Sequence, residues 1–148
     1  MNEVKLTTKE AEVLIEMLKY SLIREIELPS AGGYIDFDVK GTTEKDLFSI
    51  HIYRGKINHA KYNMNAMIKR NNIQLLELHI NPGSIHVNPD GEKICGSHWH
   101  IYTEEHGRRY AYPADDIHSA TFVENTILFM NKFHIVEQPE IYYQSELP

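Results

Sequence analysis

Polar and apolar residues alternate through most of the central chain, which is the spacing of β-strands that bury one face. In residues 34–39, Ile35, Phe37 and Val39 point one way and two aspartates point the other. Further strands are predicted at 47–53, 62–70, 73–80, 98–102 and 108–112. The methionines and the alanine within residues 62–70 are also compatible with a helix in that segment. The connecting turns are too short for parallel crossovers, so the pattern predicts an antiparallel sheet.

A helix is predicted near the start of the chain, over residues 7 to about 24. Thr7 and Glu10 have the spacing of a capping box, in which a hydroxyl and a carboxylate satisfy free backbone N–H groups. Apolar residues then recur at helical spacing: Ala11, Leu14, Ile15, Leu18 and Leu22. Such a stripe is interpreted as the buried side of a helix whose other side carries charges.

A second helix is predicted near the end of the chain, over roughly 117–133. Asp115 or Asp116 can cap it, and Thr121 with Glu124 offers a further capping-box spacing. Its phenylalanines widen the apolar stripe into a broad face. The tail that follows is expected to lie along the body of the protein.

This order of elements predicts an α+β fold in a single domain, covering residues 1–148. The expected architecture is an antiparallel sheet of five or six strands, flanked by an N-terminal and a C-terminal helix. A chain of 148 residues can bury a sizeable core without disulfides or a structural metal. An exposed edge strand could pair two copies, although nothing in the sequence requires a homodimer.

Charge and composition narrow the classes of function. The formal net charge of −6 argues against a protein that coats nucleic acid, because such binding depends on clustered Lys and Arg, but a local basic groove stays open. The single cysteine cannot form an internal disulfide, which fits a reducing cytoplasm. The N-terminus lacks the apolar core of a signal peptide, and no apolar run approaches the ~20 residues of a membrane span. A cytoplasmic protein is therefore expected.

Candidate chemistry is concentrated in residues 75–112. This segment holds five of the nine histidines, the only cysteine and the only tryptophan. The five histidines are His79, His86, His98, His100 and His106. Such crowding of imidazoles around tight turns suggests a site, although histidines on a strand face can also serve only as hydrogen-bonding groups.

One interpretation is a metal centre. Residues 98 and 100 project from the same face of a strand about 6.6 Å apart, so their two imidazoles could chelate one ion. Loop residues could supply further ligands, and His79 on the adjacent strand is another candidate. The predicted zinc ligands are His86, His98, His100 and Asp90. Cofactor-free chemistry is nevertheless favoured, because no helical His-Glu-x-x-His and no Cys-x-x-Cys accompanies this spacing.

The metal-free interpretation is RNA cleavage by attack of the 2′-hydroxyl, which needs only an acid, a base and a cation near the phosphate. His86 and one of His98 or His100 would donate and accept the protons, since the ordinary histidine pKa of about 6.5 lies close to neutrality. Arg108 or Arg109 would hold the phosphate, and a tyrosine would hydrogen-bond it or stack on a base. The residues predicted to act are His86, His98, His100, Tyr102 and Arg109.

Several short segments form a distinctive pattern: 54–57, the His-Val-Asn-Pro-Asp-Gly loop at 86–91, Ser-His-Trp-His-Ile-Tyr at 97–102, Gly107, and 110–113. This pattern resembles an uncharacterised family of small proteins from Gram-positive bacteria, their mobile elements and their phages. The central segment is also loosely similar to TumE-type toxins of toxin–antitoxin modules. Carried over by position, that similarity implies roles for His86, His98 and His100.

The leading hypothesis is thus a small, histidine-dependent, metal-independent ribonuclease-like protein of a mobile element, which could act as a toxin. The alternative is a non-catalytic phage or prophage protein that engages a host or defence protein through its sheet face or a loop. The acidic charge suits that alternative, because it could mimic nucleic acid or meet a basic partner. The expected partner is therefore RNA or a protein, and not a membrane.

Overall fold

A computed structural model describes residues 5–57, 61–117 and 121–143 of the chain. Its two helices are α1 (Thr8–Glu16) and α2 (Phe122–Lys132). The strands before the central loop region are β1 (Lys19–Ser21), β2 (Glu25–Glu27), β3 (Tyr34–Lys40), β4 (Leu47–Arg54), β5 (Tyr62–Ile68) and β6 (Gln74–Ile80). The later strands are β7 (Ile85–Val87), β8 (Lys93–Cys95), β9 (His98–Ile101), β10 (Ala111–Pro113), β11 (Ile135–Glu137) and β12 (Glu140–Tyr142).

One large sheet dominates the α+β fold. Its eight strands lie in the order β10-β9-β6-β5-β4-β3-β1-β11, and all neighbours are antiparallel except β1 and β11. Two small sheets accompany it, a parallel pair β2–β12 and an antiparallel hairpin β7–β8. The alternating sequence pattern produces the large sheet, since β5 buries every second side chain along its length and β3 does so at Phe37 and Val39.

The hydrophobic core lies between one face of the large sheet and α2. Trp99 of β9 stacks on Phe129 of α2 with ring centroids 6.2 Å apart, and Phe48 of β4 meets Phe133 edge-on at 5.4 Å. All four side chains are buried. The opposite sheet face carries polar residues, because side chains alternate along each strand. The strand pairing aligns two polar rows across β5, β6 and β9: Asn65–Glu77–His100 and Asn63–His79–His98.

The first helix is shorter than the sequence predicts. It ends at Glu16, and the following residues form β1 and β2 instead of further helical turns. Lys19 explains the change, because its buried ammonium group donates to the carbonyl oxygens of Ile15, Met17 and Phe133 at 2.8–2.9 Å. It therefore satisfies carbonyls at the end of α1 and directly after α2, which a continued helix would prevent. The predicted capping box of Thr7 and Glu10 is present.

The second helix begins later than the sequence predicts. Its N-cap is Thr121, whose hydroxyl accepts from the Glu124 N–H, so the second capping spacing marks the true start. Asp116 caps nothing there, because its carboxylate accepts from the Trp99 indole N–H at 2.8 Å. The predicted helical residues 118–120 lie outside the described residues. No helix in the described ranges is long and apolar enough to cross a membrane.

The prediction of five or six strands is wrong, since the sheet has eight. The six predicted segments correspond to strands in the order β10-β9-β6-β5-β4-β3. The last predicted strand, 108–112, is misplaced, because Arg108 still lies in the turn after β9 and β10 begins only at Ala111 and includes Pro113. Strands β1 and β11 extend the sheet at the β3 edge. These two strands are distant in sequence, so they can pair in parallel without a tight connection. The tail expected along the body supplies β11 and β12.

Candidate functional site

Two neighbouring strands bring three histidines together on the polar face of the large sheet. His79 of β6 lies directly opposite His98 of β9, and Glu77 lies opposite His100. The ring of His79 is 5.1 Å from that of His98 and 4.7 Å from that of His100, while His98 and His100 are 4.9 Å apart. A single register between two strands thus creates a compact imidazole cluster.

A fourth histidine reaches the cluster from the β7–β8 hairpin, which folds over this face. The His86 ring lies 5.5 Å from His98 and 5.0 Å from His100. Its Nε2 donates to the Arg109 carbonyl at 3.0 Å. The structure therefore brings together the three predicted histidines His86, His98 and His100, and adds His79, which the sequence offered only as another candidate.

Backbone carbonyls fix the tautomers of the two β9 histidines. His98 Nδ1 lies 2.9 Å from the Gly96 carbonyl, and His100 Nδ1 lies 2.8 Å from the Arg108 carbonyl. Since a carbonyl oxygen only accepts hydrogen bonds, each Nδ1 must carry its proton and each Nε2 keeps a lone pair. Gly96 has a φ of +83°, a conformation that favours glycine, and so its carbonyl placement depends on that residue.

Burial keeps both β9 imidazoles neutral. It lowers the pKa of His98 below the ordinary histidine value, although the hydrogen bond to Gly96 opposes the shift. Burial, reinforced by the facing His79, lowers the pKa of His100 to about 4. At neutral pH these two side chains can therefore accept a proton or bind a metal through Nε2, but they are poor proton donors.

A buried ion pair lies beside the histidines. The Glu77 carboxylate is 3% exposed and forms a bidentate pair with Arg108, whose Nε donates to Oε2 at 2.7 Å and whose Nη2 contacts Oε1. His79 Nε2 lies 3.5 Å from the same carboxylate. Burial alone would raise the pKa of Glu77, but the hydrogen bonds from His79 and Arg108 outweigh it and hold that pKa below its ordinary range.

The best-formed group of metal-ligating side chains in the described residues is His79, His98 and His100. One ring nitrogen from each lies within 4.8 Å of the other two. The zinc set expected from sequence was different, because it included Asp90 and His86. The Asp90 carboxylate instead accepts from the Tyr110 hydroxyl at 2.8 Å and the Glu92 N–H at 3.0 Å.

A cleft of about 500 Å³ opens next to the cluster. His79 and His98 form part of its lining, and two lysines, Lys56 and Lys61, lie on its wall. Its other polar lining residues are Tyr53, Asn63, Asn81 and Ser84. The cleft thus combines imidazoles with positive charge, an arrangement that suits an anionic ligand.

Two predicted residues are engaged elsewhere. The Tyr102 hydroxyl donates to the Leu6 carbonyl at 2.7 Å, and this side chain belongs to the hydrophobic core. The Arg109 Nε donates to the His106 carbonyl at 3.2 Å, so only the backbone of Arg109 meets the cluster, through His86. Neither side chain contacts a cluster histidine in the described part of the chain.

The hairpin is attached to the sheet by one asparagine of the Asn-Pro-Asp-Gly loop. Asn88 is 2% exposed, and its amide donates to the Ala111 carbonyl at 2.9 Å and accepts from the Ala111 N–H at 2.7 Å. The amide thereby pairs with the open side of the edge strand β10. This loop is therefore more than a turn, because it holds His86 over the β9 histidines.

A family model matches residues 6–135, which span α1, the whole histidine cluster and the start of β11. The chain belongs to a family of unknown function, DUF6978. No curated protein and no solved structure matches it. The expectation of an uncharacterised family is confirmed at this level, while the bacterial hosts, the mobile elements and the TumE likeness stay predictions.

Sequence reasoning missed three charged residues of this DUF6978 site: Glu77, Lys56 and Lys61. Glu77 carries a recognisable signal, because an acid two residues before His79 in the most apolar strand must find a partner when buried. The lysines carried no such signal, since Lys56 belongs to an ordinary predicted turn and lysines are usually solvated. These two lysines come close to the histidines only because β5 pairs with β6.

Proposed function

We propose that the protein cleaves RNA phosphodiester bonds at the histidine cluster. One observation carries this proposal: His79 and His98 line the same cleft as Lys56 and Lys61. Imidazoles next to lysines give a phosphate both proton-transfer groups and positive charge. The net charge of −6 makes this local concentration of cations more informative than it would be on a basic surface.

The cleft also suits a nucleotide in size and lining. Its volume of about 500 Å³ lies within the usual range of small-ligand sites, roughly 300–1,000 Å³. Tyr53 supplies an aromatic ring on which a base could stack. Asn63, Asn81 and Ser84 supply hydrogen-bonding groups for sugar and base. The two lysines take the phosphate role that the sequence suggested for Arg109.

In a metal-free reaction, His98 is the base, because its Nε2 keeps a lone pair and the residue lines the cleft. Nε2 takes the proton of the 2′-hydroxyl while O2′ bonds to phosphorus. The bond from phosphorus to O5′ then breaks, and O5′ takes a proton from an acid. His79 faces the same cleft and has a carboxylate partner in Glu77, so it is the candidate acid. The products are a 2′,3′-cyclic phosphate and a free 5′-hydroxyl.

The direct test is cleavage of a short RNA oligonucleotide, with the same oligonucleotide carrying one 2′-deoxy position as a matched substrate. We expect wild-type protein to cut the RNA and to spare the deoxy linkage. His98→Ala should lose activity, and Lys56→Gln with Lys61→Gln should weaken binding. His51→Ala is the control, because His51 lies on the same sheet face but pairs with Asp36. Failure of wild-type protein to cut any RNA substrate would refute the proposal.

The biological setting proposed for this activity is a toxin of a mobile element, in keeping with the TumE likeness. Induced expression of the wild type should then arrest bacterial growth, whereas His98→Ala/His100→Ala at equal soluble level should not. Equal growth of both strains would remove the toxin role while leaving RNA cleavage in vitro to be judged by its own assay.

A binding protein is the second candidate, and the hairpin favours it. Ile85 and Val87 of β7 are 67% and 56% exposed, on either side of the inward His86. Exposed apolar residues on a projecting hairpin suit contact with another protein. If this is the function, Ile85→Asp should abolish the association with a host or defence protein, while His98→Ala should leave it intact.

A further inference from the structure

We infer that His79, His98 and His100 form a site for one divalent transition-metal ion of the zinc class. This inference goes beyond RNA cleavage and does not rest on it, because the cluster geometry alone carries it. An ion bound here would occupy the His98 Nε2 lone pair that serves as the base in the metal-free reaction, so the two uses of this histidine are exclusive. One ring nitrogen from each of the three imidazoles lies within 4.8 Å of the others. Two neighbouring strands supply all three, which makes their mutual placement a property of the sheet and not of a loop.

The second nitrogen of each ring has a partner that orients it. His98 Nδ1 donates to the Gly96 carbonyl at 2.9 Å, and His100 Nδ1 donates to the Arg108 carbonyl at 2.8 Å. His79 Nε2 makes a longer contact of 3.5 Å with the Glu77 carboxylate. Metal-bound histidines typically donate their other N–H to a carbonyl or a carboxylate in this way, which fixes the tautomer. All three rings therefore have one nitrogen left for the ion.

This arrangement distinguishes a metal site from three histidines that merely pack together. Packed histidines would be expected to hydrogen-bond one another or to satisfy both ring nitrogens. Here the anchored nitrogens point to acceptors on three different segments, and the described residues offer no hydrogen bond to Nε2 of His98 or His100. The Nε2 lone pairs of His98 and His100 are therefore available to a cation.

The required movement is small. Ligands about 2.0–2.1 Å from a tetrahedral zinc ion lie roughly 3.4 Å from one another. The nitrogens, now within 4.8 Å, would have to close by about an ångström or less on each side. Rotation of the rings about their side-chain torsions can supply that shift without moving the strands.

The donor set indicates both the class of ion and an open position. Three neutral imidazoles suit zinc and its neighbours, whereas calcium and magnesium prefer oxygen ligands. Zinc is usually four-coordinate, so three protein ligands leave a place for water or substrate. His79 and His98 line the cleft, and that place would open toward it. His86 is not counted as the fourth ligand, because its ring lies outside the group of three whose nitrogens come within 4.8 Å of one another.

The test is metal binding by full-length protein without a histidine tag. After removal of adventitious metal, Zn²⁺ would be titrated calorimetrically, and Co²⁺ would report coordination through its visible absorption. We expect one ion per chain and a tetrahedral Co²⁺ spectrum. His100→Gln and His98→Ala should each weaken binding by more than the roughly 10–100-fold that loss of an outer-shell partner of a metal ligand costs. His51→Ala, a histidine of the same sheet face, should bind like wild type, and so should His86→Ala.

Each outcome decides the inference. No stoichiometric binding of Zn²⁺ or Co²⁺ by wild type would overturn it, and this result does not depend on the folding of any variant. Unchanged affinity in His98→Ala and His100→Gln, with native circular dichroism, would place the ion elsewhere. A loss in His86→Ala equal to that in His98→Ala would overturn the three-histidine ligand set.

The same samples separate this inference from the proposed function. Metal binding without RNA cleavage would keep the site and refute the nuclease. Cleavage of RNA by protein that binds no Zn²⁺ or Co²⁺ would keep the nuclease and refute the metal site.

Discussion

Replacement of Asn88 by alanine tests whether one side chain holds the hairpin over the histidines. The change removes two buried hydrogen bonds to Ala111, at 2.7 and 2.9 Å. Each such bond contributes a net ~0.5–1.5 kcal/mol, and a backbone group left buried without a partner costs about 1–3 kcal/mol. Water can reach the freed groups if the hairpin lifts. We therefore expect the hairpin to lose about 2–4 kcal/mol of docking free energy.

Three measurements reveal this loss. Hydrogen exchange of the Ala111 amide should accelerate by about one and a half to three orders of magnitude, since each ~1.4 kcal/mol corresponds to about tenfold. If the hairpin opens locally, the fall in the global free energy of unfolding, measured with urea, should be smaller than the loss of docking free energy. The NMR signals of His98 and His100 should also shift, because the His86 ring leaves their neighbourhood.

Two further variants make the reasoning refutable. Asp90→Ala changes the same loop, but the bonds lost are exposed, so the Ala111 amide should exchange as in wild type. Asn88→Asp keeps the acceptor for the Ala111 N–H and turns a second oxygen toward the Ala111 carbonyl, so it should also loosen the hairpin at neutral pH. If the Ala111 amide exchanges at the wild-type rate in both Asn88 variants, the role given to the Asn88 side chain is refuted.

Two other predictions concern stability. Burial lowers the pKa of Lys19 from 10.5 to about 7, so the unfolded chain binds more protons between these values and stability should rise with pH across that window. In urea unfolding, the free energy of unfolding of the wild type relative to Lys19→Met should rise by about 2 kcal/mol between pH 7 and pH 9. If this difference between the two proteins does not change with pH, the three carbonyl acceptors keep the ammonium charged. Phe129→Ala removes a fully buried ring that stacks on Trp99 and should cost about 3–5 kcal/mol in the same assay. A loss below about 1 kcal/mol would contradict this account of the core.

The sequence by itself determined the central strands of the large sheet and the placement of two site histidines, His98 and His100, on one strand face. Strict alternation in segments such as 34–39 and 47–53 is a local property, and these strands pair in chain order. His98 and His100 share a strand face for the same reason, so their approach follows from a two-residue spacing. The helix N-caps at Thr7 and Thr121 could also be predicted from the sequence, because capping depends on residues three apart.

Only the tertiary structure decided the edges of the sheet and the partners of the histidines. Strands β1 and β11 have three residues each, too few for a period, and they exist because the two ends of the chain meet. The pairing of β6 with β9, across the intervening hairpin, selects His79 over Asp90 as the neighbour of His98. Alternation fixes which way a side chain points, whereas contacts between distant segments decide what it meets, and no local pattern encodes that register.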